Sequence, residues 1–175
     1  MKRQQAGFTL VEAMVVIAIL AILAAVAAPA YQGAINSMRV KSAAEAVYSQ
    51  IQFARSESVK QDRDLFVSIQ GGGTTTWCIG ISDAAGCDCS VGVDTCQFGL
   101  AGGKIKRNIY GSDFSSITLT VNTSEISFNS RRGATAAGGN TVTVTGGTGL
   151  NTTIVTSTLG RVRICGGNLG GYPAC

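Results

Sequence analysis

The residue types that perform most enzymatic chemistry are scarce in this sequence. Histidine is absent from all 175 residues, which excludes a His-based triad or acid–base pair and removes the commonest transition-metal ligand. The 10 acidic residues show no paired pattern of the kind that hydrolytic enzymes use. We therefore expect no enzyme activity, no catalytic residues, no bound metal and no cofactor.

Six cysteines are the most reactive side chains that remain. Without His or a C-x-x-C motif, they indicate disulfides in an oxidising compartment rather than a zinc site. Cys165 and Cys175 bracket a Gly-rich tail and are expected to pair. The other four candidates are Cys78, Cys87, Cys89 and Cys96. A bond between Cys87 and Cys89 would be strained, so we expect these four to pair in a way that avoids it.

A pair of arginines near the C-terminus is the pattern best suited to binding phosphate. Arg161 and Arg163 flank Val162 and follow Gly160. On a strand they would point to one face about 7 Å apart, a spacing that can bridge successive phosphates of a nucleic acid. Gly160 would let the nucleic-acid backbone come close. Further basic candidates in the same part of the chain are Lys104, Lys106, Arg107, Arg131 and Arg132.

The net charge of +4 is unevenly distributed along the chain. Residues 104–175 carry seven basic and two acidic residues, whereas residues 29–103 carry five basic and seven acidic residues. Phosphate contacts from the basic part would be independent of base sequence and sensitive to salt. The alternative is structural, because exposed arginines on an edge strand discourage pairing with strands of other molecules. The pattern is short, so both interpretations stay open.

The N-terminal region contains one long apolar segment. Of residues 8–28, 19 of 21 are hydrophobic, enough to span a bilayer as a helix. Lys2 and Arg3 precede it and favour a cytoplasmic N-terminus. The segment also contains Glu12, a carboxylate that would need a partner inside the membrane, such as an amine on a neighbouring chain. The alternatives are a plain anchor or a secretory signal cleaved near residues 25–28.

The run KR followed by GFTLVE at 7–12 resembles the prepilin leader of type IV pilins and type II secretion pseudopilins. The resemblance implies that residues 1–7 are a leader, cleaved between Gly7 and Phe8 by a prepilin peptidase. It also implies N-methylation of Phe8 and pairing of Glu12 with a terminal amine during filament assembly. Pro29 matches the family position at which proline kinks or melts the helix.

The segment after Pro29 predicts a continuation of the same helix. Its apolar residues follow the i, i+3, i+4, i+7 spacing of an amphipathic helix, and they are Val40, Ala43, Ala44, Val47, Ile51 and Ala54. We expect one helix from Thr9 to Gln61. Its hydrophobic part, 8–28, should project as the transmembrane or filament-core segment, and its amphipathic part, 29–63, should pack on a sheet. The run FARSESVK at 53–60 resembles a signature of the GspH, FimU and FimT branch, although Arg55 and Glu57 fit a solvated helix face.

Residues 64–175 predict a β-rich head. Of the 23 glycines, 21 lie at or beyond Gly71, between short runs that alternate as half-buried strands do. The fold class is therefore α+β, with a long N-terminal helix packed on an antiparallel β head. The resemblance implies a two-sheet head like that of GspH and FimT. The expected strands are Leu65–Gln70, Thr76–Ile81, Lys104–Ile109, Ser116–Val121, Ser124–Asn129, Thr141–Thr145, Thr152–Thr156 and Arg161–Cys165. The Gly/Thr-rich segment 133–158 predicts a mobile hairpin.

The resemblance implies a minor type IV pilin that acts in pilus assembly at the filament tip. It would span the inner membrane once with a periplasmic head, and would later enter the pilus. Its partners would be other minor pilins, the major pilin and prepilin peptidase. Gly160-Arg161-Val162-Arg163 is similar to the GRxR motif of FimT-like pilins, which implies binding of double-stranded DNA for uptake in natural transformation. The alternative function is that of a type II secretion minor pseudopilin that supports protein export.

Overall fold

The computed structural model describes residues 7–99, 103–135 and 138–175. The chain forms two units, Met1–Ile35 and Asn36–Cys175. The predicted leader, apart from Gly7, lies outside the described residues. A single helix, α1, contributes residues to both units.

Helix α1 spans Leu10–Lys60, in agreement with the helix expected from Thr9 to Gln61. The hydroxyl of Thr9 accepts a hydrogen bond from the backbone N–H of Glu12 at 3.2 Å, the arrangement of a helix N-cap. The helix continues through position 29, so it is not melted there. A kink at Pro29 stays a prediction.

The first unit contains a strongly apolar and uncovered stretch of α1. Its side chains from 7 to 28 are exposed, including Leu10, Ile17 and Val26. The most apolar window has a mean hydropathy of 2.8, and none of it is buried. Among the described residues, α1 is the one helix that is long and apolar enough to cross a membrane.

In the second unit, the remainder of α1 supplies one wall of the hydrophobic core. The side chains with the predicted helical spacing are completely buried, and they are Val40, Ala43, Ala44, Val47, Ile51 and Ala54. Small alanines among them allow a close approach of the helix to the sheets. The amphipathic interpretation of this segment is therefore confirmed.

The head contains two four-stranded antiparallel sheets. The strands are β1 Leu65–Gln70, β2 Cys78–Ser82, β3 Ile109–Tyr110, β4 Ile117–Val121, β5 Glu125–Phe128, β6 Asn140–Gly146, β7 Asn151–Thr156 and β8 Val162–Gly166. The strand order is β3-β2-β1-β5 in one sheet and β4-β6-β7-β8 in the other. The expected α+β architecture with an antiparallel head is thus confirmed.

Trp77 links the two sheets at one end of the core. Its side chain is 1% exposed, and the indole N–H donates to the backbone carbonyl of Ile117 at 3.0 Å. The ring stacks on Phe114, with centroids 5.8 Å apart. Burial of a large aromatic side chain with its polar atom satisfied is a strong stabilising contribution.

One local expectation was wrong. The run Lys104–Ile109 forms a strand only at Ile109, because Lys106 and Arg107 make side-chain contacts to a loop and to α1 instead of alternating in a sheet. The hairpin expected within segment 133–158 is present, since β6 pairs with β7 over six residues, from Asn140↔Thr156 to Thr145↔Asn151, inside a four-stranded sheet. The mobility of this hairpin stays a prediction.

Four cysteines form two disulfides, Cys78–Cys89 and Cys87–Cys96. This pairing avoids the Cys87–Cys89 bond, as expected. The first bond holds the loop between β2 and β3 against β2, and the second joins two residues within this loop. A Cβ on Gly80 would lie 2.5 Å from the sulfur of Cys96, so β2 needs glycine at this position to admit the second disulfide.

The expected bond between Cys165 and Cys175 is not formed in the structure. Cys165 is a buried thiol in β8 and Cys175 is an exposed thiol at the chain end. Burial raises the pKa of Cys165, and the neighbouring Cys175 raises it further. The tail is held without the bond, because the carbonyl of Pro173 accepts the N–H of Gly166 at 2.7 Å and Leu169 donates to Asn151 at 3.1 Å.

Candidate functional site

The hairpin between β7 and β8 presents Arg161 and Arg163 on one surface. Both side chains are exposed, whereas Val162 between them is 5% exposed and faces the core. Arg161 directly precedes β8 and Arg163 lies within it, opposite Val155. The two arginines line a cavity of about 310 Å³ together with Val155, Ser157 and Leu159. The expected alternation is therefore present, and this cavity has no carboxylate in its wall.

Gly160 has a different role from the one expected. It is buried, with φ +76°, a conformation that favours glycine. A Cβ at this position would overlap the carbonyl oxygen of Gly133. The absent side chain therefore allows two protein turns to touch, and the close approach is internal rather than toward a nucleic acid.

Gly133 closes the turn that carries Arg131 and Arg132. Its N–H donates to the carbonyl of Asn129 at 2.8 Å, and the side-chain oxygen of Asn129 accepts the N–H of Arg131 at 2.8 Å. Both arginine side chains are exposed and line a cavity of about 360 Å³ with Ala134. The turn is thus fixed by backbone bonds while its two guanidinium groups remain accessible.

Hydrogen bonds join this turn to the β7–β8 hairpin. The N–H of Thr135 donates to the carbonyl of Thr158 at 3.1 Å, and its hydroxyl donates to the carbonyl of Ser157 at 3.3 Å. The hydroxyl of Ser157 in turn accepts the N–H of Arg161 at 3.1 Å. These bonds, with the contact between Gly133 and Gly160, join the turn that carries Arg131 and Arg132 to the hairpin that carries Arg161 and Arg163.

Arg55 of α1 stabilises the contact between Gly133 and Gly160. The interpretation of Arg55 as part of a solvated helix face missed this role. Its Nε–H donates to the carbonyl of Gly133 at 3.2 Å. Arg55 and Arg132 line a further cavity of about 310 Å³ with Val59. The FARSESVK signature was the signal that could have identified this residue. In this chain, Arg55 of the signature holds a turn of the head through its bond to the carbonyl of Gly133.

Glu57 is also not solvated, which corrects the second part of that interpretation. It is 9% exposed. Its carboxylate accepts hydrogen bonds from Gln61 at 2.6 Å and from Lys60 at 3.1 Å. The bond from Gln61 is the main reason that the pKa of Glu57 is lowered, burial opposes this shift, and Lys60 adds to it. Glu57 therefore stabilises the end of α1.

We call Arg55, Arg131, Arg132, Arg161 and Arg163 the arginine surface. None of the three cavities that these residues line has an acidic residue in its wall. The nearest acidic residue along this turn's hydrogen bonds is Asp64, whose carboxylate accepts the N–H of Ser130 at 2.8 Å. Asp64 lines a separate cavity with Asp62 and Asp83. The positive charges of these arginines are therefore concentrated on one surface without acidic residues in its cavities, and such a surface is suited to an anionic ligand.

The remaining basic candidates do not join the arginine surface. Lys106 pairs with the carboxylate of Asp94 at 3.1 Å. Arg107 donates to the side-chain oxygen of Gln50 at 3.0 Å and lies 4.1 Å above the centre of the Phe53 ring. Lys104 is exposed in the preceding loop and lines none of the three cavities.

The N-terminal candidates lie in the first unit. Gly7 and Phe8 are exposed, and Phe8 is 84% exposed. The carboxylate of Glu12 is exposed, and among the described residues the structure shows no partner for it. The carboxylate is therefore available, within the described part of the chain, for a group outside it.

Comparisons with known proteins agree with this architecture. Residues 2–28 match the model of the prokaryotic N-terminal methylation motif. Two crystal structures of the Pseudomonas aeruginosa (strain PAO1) type IV minor pilin FimU have a similar fold. One is 20% identical, covers 71% of this chain and 90% of FimU, and gives a TM-score of 0.51. The other is 18% identical, covers 77% and 92%, and gives 0.52. No curated protein sequence matches the chain.

The family match covers most of the head and the part of α1 that packs in it. Residues 43–160 match the family described as type II transport protein GspH. Arg55, Arg131 and Arg132 lie inside this segment, whereas Arg161 and Arg163 lie just beyond it. The chain belongs to the GspH family.

Proposed function

We propose that this chain is a minor pilin that takes part in assembly of a type IV pilus at the filament tip. The single observation that carries the proposal is the uncovered apolar stretch of α1, which lies inside the segment that matches the N-terminal methylation motif. A surface of this kind must be covered by lipid or by other apolar helices. Before assembly the stretch would be covered by membrane lipid, and in the filament it would be covered by the stems of other pilins.

The proposed processing site lies between Gly7 and Phe8. Cleavage there by a prepilin peptidase would remove two basic residues, Lys2 and Arg3, and would create a new amine on Phe8, which is then N-methylated. Glu12 would accept a terminal amine of a neighbouring pilin. A charged pair in an apolar filament core is favourable only when both members are present, so the pairing would select correctly seated subunits.

The proposed location follows from the same segment. The chain would cross the inner membrane once, with its N-terminus in the cytoplasm and its head in the periplasm, before it enters the filament. The two disulfides are consistent with an oxidising compartment for the head. Other minor pilins and the major pilin are the proposed partners.

The alternative is a minor pseudopilin of a type II secretion system, which the family description favours. Deletion of the gene separates the two functions. We expect surface pili to be depleted, as for loss of an assembly component, while secretion of type II substrates stays at the wild-type level. Both are measured by quantitative blotting of sheared filaments and of culture supernatant, with plasmid complementation as the control. Loss of secretion with normal pili would instead support the pseudopilin.

A second function, binding of double-stranded DNA, is favoured by the exposed pair Arg161 and Arg163. Guanidinium groups bind phosphate oxygens through paired hydrogen bonds. Such contacts release counterions from DNA and carry no base sequence information. We therefore propose that the head captures duplex DNA for uptake, independent of its sequence.

Binding of the full chain in an uncharged detergent to a duplex should weaken as salt increases. The slope of log affinity against log salt should fall in magnitude by about 2 in Arg161→Ala/Arg163→Ala, because each phosphate contact contributes about 0.9. Fluorescence anisotropy at several salt concentrations measures this slope. Absence of salt-dependent binding by the wild-type chain would contradict DNA binding, and an unchanged slope in the variant would contradict the residue assignment.

A further inference from the structure

We propose that the phosphate-binding site has two arms, and that Arg131 and Arg132 form the second arm beside Arg161 and Arg163. The ligand would be the backbone of double-stranded DNA, which presents a row of phosphates long enough to engage both arms. This inference rests on the proposed DNA binding and specifies the surface that performs it. Arg55 is the positioning residue that holds the arms together.

Connection of the two arms through the backbone is the first observation. Arg132 is followed by Gly133 and Arg161 is preceded by Gly160. These glycines are packed so closely that a Cβ on Gly160 would overlap the carbonyl oxygen of Gly133. Hydrogen bonds from Thr135 to the carbonyls of Ser157 and Thr158 tie the same turns together. Arms held in fixed positions lose little conformational entropy on binding.

Accessibility of the charges is the second observation. The four arginines of the arms are exposed, and none makes an ion pair within the described residues. Lys106 differs, because Asp94 already neutralises it. An exposed cation without an internal partner can bind phosphate without first losing an ion pair. The second arm therefore has the same charge and exposure as the first.

Arg55 supplies the third observation, because it connects the arms to α1. It is half-buried, and its Nε–H donates to the carbonyl of Gly133. A Cβ on Gly160 would lie 3.0 Å from the same Nε. One side chain therefore contacts both turns at their junction. Its position explains why the arms lie next to the end of the helix, and it makes Arg55 a support for the site.

The test compares double variants that each remove two positive charges. In the full chain, we expect Arg131→Ala/Arg132→Ala to reduce the magnitude of the salt slope by about 2, as Arg161→Ala/Arg163→Ala does, and the fourfold variant by about 4. The matched control is Lys104→Ala/Lys106→Ala, which should leave the slope within about 0.5 of the wild-type value. Thermal unfolding of each variant confirms that the exposed substitutions leave the head folded.

The outcomes separate the two claims. If the wild-type chain does not bind, the proposed DNA binding itself fails. If it binds but Arg161→Ala/Arg163→Ala leaves the slope unchanged, the assignment of the first arm fails, and the two-arm site fails with it. If that variant lowers the slope but Arg131→Ala/Arg132→Ala does not, DNA binding stands and the second arm is wrong. If the lysine control lowers the slope as much as the second arm, binding depends on overall charge, and the two-arm site is again wrong.

Discussion

Replacement of Glu12 by Ala should lower incorporation of this chain into filaments by roughly 10- to 150-fold, with its level in the membrane unchanged. A hydrogen bond to a charged group contributes about 1.5–3 kcal/mol, and each 1.4 kcal/mol is about tenfold in an equilibrium. In the filament core, loss of the carboxylate would also leave a partner amine without its counter-charge. Quantitative blotting of sheared filaments and of membranes measures the ratio.

Two matched variants separate charge from helix capping. Thr9→Ala removes the hydroxyl that accepts the N–H of Glu12, which costs about 1 kcal/mol of helix stability but keeps the carboxylate. Glu12→Gln keeps the size of the side chain and removes its charge. We expect Gln to behave like Ala and Thr9→Ala to retain most incorporation. Normal incorporation of the Gln variant would contradict the proposed pairing.

Gly160→Ala should lower the free energy of unfolding of the head by about 2–4 kcal/mol. The φ of +76° disfavours any Cβ, and this particular Cβ would overlap the carbonyl of Gly133. The turn that carries Arg131 and Arg132 would have to move away. We therefore expect the variant to weaken DNA binding as well, through the position of the arms rather than through charge. Denaturant unfolding followed by circular dichroism measures the stability.

Gly149→Ala is the matched control for this effect. Gly149 also has a positive φ, +81°, in the turn between β6 and β7, but no atom lies within 4 Å of the position that its Cβ would occupy. The substitution should cost about 1 kcal/mol, from backbone conformation alone. Equal losses in the two variants would show that the contact between Gly160 and Gly133 contributes nothing.

The sequence predicted most of the fold because the relevant signals are local. Spacing of Val40, Val47 and Ile51 defined the buried face of α1, and alternation defined β4 through β8 to within one or two residues. The run Lys104–Ile109, wrongly expected to be a strand, has apolar residues at 105 and 109 but Arg107 between them. Lys106 pairs with Asp94, and Arg107 contacts Gln50 and Phe53. These partners lie outside the run, so its own pattern could not indicate them.

The site was predicted only in part, for the same reason. Neighbours in sequence gave the pair Arg161 and Arg163 and their shared face. The joining of this pair to Arg131 and Arg132 depends on the packing of Gly133 against Gly160 and on Arg55, 78 residues before Gly133. In the sequence, a glycine next to an arginine pair is compatible with the close approach of a ligand and equally with that of another protein turn. Only the fold distinguishes these two roles.

The most direct test of the pilin assignment is the N-terminus of the wild-type chain in surface filaments. Filaments sheared from cells that produce the chain at its native level are digested, and the N-terminal peptide is identified by mass spectrometry. We expect the chain to be present in this fraction with an N-terminus at N-methylated Phe8. A chain that is abundant in membranes but absent from filaments, or that retains residues 1–7 there, would contradict the account.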